Sequence, residues 1–195
     1  VGAAARLQGD VRGQAAAALV ADGRHRRLGD PGKGAERGLH LLEVDPVAAL
    51  PLEGLEQPTI AAVNGHAVGG GWVLALGCDF RFAAAEAQFW IPEVDLGIPL
   101  HAAFTTRFVR LVGPARAKEI IMDGRRHSAA EALALGLVHR VEPGAALPAA
   151  AREYALALAR KPAGALAAAK ARIGVIASVG MPEINAMTEG LLDRP

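Results

Sequence analysis

Hydrophobic and polar positions are unevenly ordered along this chain. Before residue 36 they show no sustained period. The alanine-rich run Gln14 to Val20 predicts one short helix, and Asp22 to Gly38 (DGRHRRLGDPGKGAERG) is a basic loop rich in glycine and proline. From Leu39 to Leu55 apolar residues return, interrupted by Pro46 and Pro51, which predicts one or two short helices. Thr59 to Val63 then reads as a buried strand closed by the turn pair Asn64-Gly65. Gly69, Gly70 and Gly71 lead into Trp72 to Leu76, an apolar run suited to a buried helix.

Downstream, Asp79 to Ala83 alternates as a strand, and Ala87 to Ile91 predicts a short extended piece that carries on to Glu93. Helices are expected over Thr105 to Val112 and Pro114 to Met122, parted by Gly113. Ser128-Ala-Ala-Glu131 has the spacing of a capping box for a helix over Ala129 to Leu135 that stops at Gly136. A short strand, Leu137 to Val141, precedes helices near Ala149 to Arg160, Pro162 to Ala177 and Pro182 to Leu192. Strands alternating with crossover helices, followed by a helical tail, give an α/β fold.

Composition narrows the function. A length of 195 residues suits one domain, and 52% hydrophobic residues supply a core. With aromatics at 4%, that core must be built from alanine, leucine and valine. A net charge of +1 provides no field for nucleic acid or an anionic membrane, so neither is an expected partner. The lone Cys78 sits in an apolar run and reads as a core residue, and no metal-binding cluster is visible. Val1 to Leu7 does not look like a secretory leader, and a cytoplasmic location is expected. Gln57 to Cys78 is uncharged and long enough to span a bilayer on paper. Its glycines, proline, Asn64 and His66 fit a strand, turn and helix better. GDPGKGA fails the phosphate-loop spacing, and no strand leads into it.

Chemistry gathers between Pro58 and Pro99. Glycines at a strand-to-helix junction let backbone approach a ligand, and the first amides of a helix lack partners inside it. They carry the positive end of its dipole and suit a carbonyl oxygen that gains negative charge. Glu93 follows Pro92 as a carboxylate in an otherwise apolar neighbourhood.

The stretch NGHAVGGGWVLALGCDFRFAAAEAQFWIPEVDLGIP resembles the central signature of the enoyl-CoA hydratase/isomerase (crotonase) superfamily. The likeness runs from about Gln57 to about Val141 and more loosely to the C-terminus. It implies a crotonase-like ββα spiral with a C-terminal helical trimerisation region and a short or divergent N-terminal part. The expected divisions are 1–36 as a poorly ordered segment without a core element, 37–143 as the α/β core, and 144–195 as the helical region.

By resemblance, Gly70 supplies half of an oxyanion hole for a thioester carbonyl, and Glu93 is one of the family's two catalytic carboxylates. Gly69, Gly71, Trp72, Trp90 and His66 are the expected substrate-binding neighbours. The implied substrate is an acyl-CoA thioester, with coenzyme A entering only as part of it and no separate cofactor. A homotrimer or dimer of trimers is the implied assembly. Asp95, two residues beyond Glu93, would face the same way in an extended segment, but the family position is variable and a carboxylate pair is not the expected reading. Asp79 is expected to stabilise the turn after the helix.

The departures from the signature bear on the reaction. In hydratases the other catalytic glutamate is the second residue after the three glycines, and here that residue is Val73. His101, in the altered segment after Pro99, is a candidate replacement acid or base. The upstream loop of the F-C-A-G-x-D-L type, which completes the oxyanion hole, is not found between Val1 and Gln57. The expectation is that this region is a divergent or frame-disrupted version of that loop, or that the chain is a truncated family member. Double-bond isomerisation needs one proton-shuttling base, so it is the expected activity ahead of hydration. The alternative is a non-catalytic relative with an incomplete oxyanion hole.

Overall fold

The computed structural model describes residues 17–21 and 50–180, together with 183 and 187. Its elements run β1 (Ala17–Ala21), α1 (Leu50–Glu53), β2 (Thr59–Val63), β3 (His66–Val68), α2 (Gly70–Leu76), β4 (Phe80–Ala84) and β5 (Gln88–Trp90). They continue with α3 (Ala102–Asp123), β6 (His127–Ser128), α4 (Ala129–Ala134), β7 (Arg140–Glu142), α5 (Leu147–Ala159) and α6 (Ala163–Ser178).

The strands form two sheets. One has the order β1-β2-β4-β7, and its neighbours are all parallel. The other has the order β3-β5-β6, with β3–β5 parallel and β5–β6 antiparallel. Parallel strands covered on both faces need apolar side chains throughout. All five residues of β2 (TIAAV) are buried, and so are the last four of β4 (FRFAA). This is the α/β, crotonase-like arrangement that the resemblance implies.

One buried cluster joins both sheets to α2, α3, α4 and α5 through Ile60, Trp72, Phe82, Phe89, Phe108 and Leu147. Cys78 belongs to it at 3% exposure, with burial pushing its thiol up to about 11. Arg81, also buried, donates from Nε to Leu137 O at 2.6 Å and from Nη1 to Cys78 O at 2.8 Å. It thereby ties β4 to the segment that leads into β7.

The helix expected over Gln14 to Val20 is corrected. Ala17–Ala21 is a strand whose residues pair in parallel with Thr59–Val63 of β2, while 14–16 lie outside the described residues. The helix propensity of alanine is a weak prior, and a parallel partner edge overrides it.

Other boundaries move by a few residues. The two helices expected around Gly113 run as α3 with a break there (φ 75°, ψ 165°), followed by Pro114. The strand expected over Leu137 to Val141 is confined to Arg140–Glu142. Most of Leu39 to Leu55 and of Pro182 to Leu192 lies outside the described residues, although α1, Glu183 and Met187 are helical.

Candidate functional site

The β3–β5 ladder builds the site by joining two motifs distant in sequence. His66 aligns with Gln88, Ala67 with Phe89 and Val68 with Trp90. The amide of Gly69 then donates to Trp90 O at 2.9 Å, so the glycine run and the Pro92-Glu93 turn leave the sheet side by side. Gly69 caps α2 with φ 48° and ψ −119°, a conformation open to glycine and closed to most other residues. The first helical bond is Val73 N–H to Gly69 O at 3.1 Å. The amides of Gly70, Gly71 and Trp72 precede it and have no acceptor within the helix.

Glu93 lies against this junction. A Cβ placed on Gly69 would stand 2.5 Å from Glu93 Oε1. The carboxyl is half-buried, and its Oε2 is enclosed with no hydrogen-bond partner. Burial raises its pKa above the usual carboxylate range, against a smaller lowering by its own backbone amide. A carboxylate held beside helix amides that have no acceptor within the helix is suited to moving a proton while a neighbouring carbonyl oxygen gains charge.

The remaining candidates are distributed around that pair. Gly71 has open space where a Cβ would stand. Trp72 is fully buried, with ring centroids 5.5 Å from Phe89, 5.2 Å from Phe108 and 5.9 Å from His127, so it faces the core. Trp90 is nearly buried. The exposed His66 lies edge-on to it at 5.7 Å, and the Arg126 guanidinium stands 4.6 Å from its ring centroid.

Asp95 does not pair with Glu93. Residues 92–98 form a turn, with Leu96 N–H on Glu93 O at 3.1 Å and Ile98 N–H on Glu93 O at 2.8 Å. In a turn, residues two apart do not share a face. The Asp95 carboxylate is directed at Gly124, where a Cβ would stand 2.8 Å from Oδ2. The extended segment expected at Glu93 is corrected accordingly.

His101 caps α3, its Nδ1 accepting from Ala103 N–H at 3.2 Å. Asp79 is structural, as expected, although its partners are Thr59 and Lys170. Val73 is 2% exposed and packs with Phe104, Leu74 and Leu100 in a small apolar cluster. Phe104 and Arg126 were not anticipated from the sequence. Their periodic and charged settings resemble ordinary helix and loop positions, and only the packing brings them to Val73 and Trp90. Among the described residues, no three His, Cys, Asp or Glu side chains are grouped to hold a metal ion.

The sequence profile described as enoyl-CoA hydratase/isomerase matches residues 48–189, which include both motifs of this site. The chain belongs to the enoyl-CoA hydratase/isomerase family.

Relatives within the family carry more than one activity in their names. The chain is 46% identical over 116 residues to a carnitinyl-CoA dehydratase of Salmonella typhi, covering 60% of this chain and 44% of that protein. It is 49% identical over 98 residues to a crotonyl-CoA hydratase of Syntrophomonas wolfei subsp. wolfei, covering 50% and 38% respectively. It also resembles the crystal structure of a monofunctional enoyl-CoA isomerase from M. smegmatis, with 36% identity and a TM-score of 0.62 over 67% of this chain and 61% of that one. The chain thus spans less than half the length of the curated relatives it matches. No helix among the described residues is long and apolar enough to cross a membrane.

Proposed function

We propose that this chain carries the thioester site of an enoyl-CoA isomerase. Coenzyme A enters as the handle of the substrate and not as a separate cofactor. The observation behind this reading is the asymmetry of the site. Glu93 is set against the start of α2, while Val73 is closed in by Phe104, so one carboxylate is available where hydration uses two.

With a 3-enoyl thioester bound, its carbonyl oxygen would rest on the Gly70 amide at the positive end of the helix. The Glu93 carboxylate takes a proton from C2, and the electrons spread into a dienolate held at that oxygen. The same carboxyl returns the proton at C4. The C2–H bond breaks, the C4–H bond forms, and the double bond moves from C3–C4 to C2–C3. No water is consumed and no second carboxylate is needed. Trp90 and Ile91, next to Glu93 in sequence, are the apolar wall in this reading.

We further propose that the exposed apolar residues of α6, among them Ile173 and Ile176, meet other copies in a homotrimer or dimer of trimers.

The test supplies a 3-enoyl-CoA and a 2-enoyl-CoA separately and identifies the products. Isomerisation of the first, with little 3-hydroxyacyl-CoA from the second, is the expected result. Water addition in the ordinary enzymatic range, about 1–10³ s⁻¹, would refute it. A chain that neither turns over nor binds acyl-CoA would be a non-catalytic member of the family.

A further inference from the structure

Among the described glycines with positive φ, Gly97, Gly113 and Gly136 have nothing within 4 Å of where a Cβ would stand. Backbone conformation alone accounts for a glycine there. Gly69, like Gly124 beside Asp95, carries a second constraint. A Cβ on it would lie 2.5 Å from Oε1 of Glu93, 3.2 Å from its Cδ and 3.4 Å from its Oε2. Oε1 therefore occupies the volume that a side chain would take, with the rest of the carboxyl packed at its edge.

We propose that Gly69 is a positioning residue for Glu93: its missing Cβ leaves a seat on the backbone that sets the carboxylate beside the Gly70 amide. The proposal rests on the reading of Glu93 as the base. Two features fit a seat formed by space. The Gly69 amide is already committed to Trp90 O, which fixes the floor of the seat. The Oε2 atom is enclosed without a hydrogen-bond partner, so no donor group holds that oxygen. A carboxylate located largely by shape keeps the lone pairs of Oε2 free for a substrate proton. A methyl group on Gly69 would push it from the junction, and displacements of about 1 Å cost on the order of 10²-fold in rate.

The experiment compares wild type, Gly69→Ala, Glu93→Asp and the Gly69→Ala/Glu93→Asp double variant. Gly136→Ala is the control for a methyl group on a glycine of positive φ (74°), because it has open space around it. Two readouts are taken. One is the titration of Glu93 by carboxyl carbon NMR, and the other is the steady-state kinetics of isomerisation with a 3-enoyl-CoA, resolved into kcat and KM.

Gly69→Ala is expected to move the Glu93 midpoint down toward that of an exposed glutamate and to lower kcat by about 10–10²-fold, with KM changed far less. Gly136→Ala should leave the Glu93 midpoint in place. In the Glu93→Asp background the carboxylate is withdrawn by one methylene, so the Gly69→Ala penalty should shrink to below about threefold. An unmoved Glu93 midpoint, or the same penalty in both backgrounds, would reduce Gly69 to a backbone role and overturn the proposal. If wild type does not turn over, the functional reading fails and the titration still decides the seat. Should Gly69→Ala not fold, Gly69→Ala/Glu93→Ala decides it. Recovery of a folding transition supports the seat, and continued failure contradicts it.

Discussion

Lys170 of α6 places its Nζ 2.7 Å from Oδ2 of Asp79, between α2 and β4. The same oxygen accepts from Thr59 N–H at 2.7 Å and Thr59 Oγ1–H at 2.8 Å, and Lys170 also donates to Gln57 O at 3.0 Å. Because α6 has no buried residue of its own, this largely buried cation is its main tie to the start of β2. Lys170→Met should lower stability by about 1.5–3 kcal/mol, the range for hydrogen bonds to a charged group. It should also speed hydrogen exchange in α6 more than in β2. Chemical denaturation with exchange measurements would check this, and an unchanged α6 would contradict it.

Restoring the hydratase carboxylate is not a free operation in this fold. Val73 is 2% exposed against Phe104, so Val73→Glu would hold its carboxyl neutral at pH 7 at a cost of about 3–4 kcal/mol. Its folded-state pKa is raised, so the loss should be absent below about pH 4, where the unfolded chain is protonated too, and should grow as pH rises. Denaturation midpoints at several pH values test this. Hydration should not appear in Val73→Glu alone, because the new carboxyl would be packed among Phe104, Leu74 and Leu100.

Glu93 follows the same sign. Burial raises its folded-state pKa, so folding favours the protonated carboxyl. That contribution is complete below the unfolded pKa and is lost as pH rises through the folded one. Glu93→Gln removes the titration. Its stability relative to wild type should therefore climb as pH rises above the unfolded pKa of about 4 and level off above the raised folded pKa. Isomerisation by wild type should fall in the opposite direction, as acid protonates the base. A pH-independent stability difference would mean that Glu93 is solvated in the fold.

Most of the fold was legible where local chemistry decides it. The capping box shows this. Glu131 N–H donates to Ser128 Oγ at 3.2 Å, and Ser128 N–H donates to Glu131 Oε2 at 2.7 Å, both within one turn of the chain. Positions settled by long-range partners were not legible. Ala17–Ala21 is alanine-rich and becomes a strand only because β2 offers an edge. Glu93 and Gly69 are each visible as motif residues, but their contact follows from the β3–β5 register, which no local pattern encodes. The correction at Asp95 has the same origin. An extended segment and a tight turn after Pro92-Glu93 look alike in sequence and point the second carboxylate to opposite places.

The central claim is that Glu93 alone moves the proton. Its most direct measurement is the turnover rate for isomerisation of a 3-enoyl-CoA by wild type and by Glu93→Gln, with the affinity of each for a saturated acyl-CoA. The account predicts a fall in kcat of about 10²–10⁴-fold, the scale of a general acid–base group, with affinity nearly unchanged. An active wild type with an equally active Gln variant would contradict it.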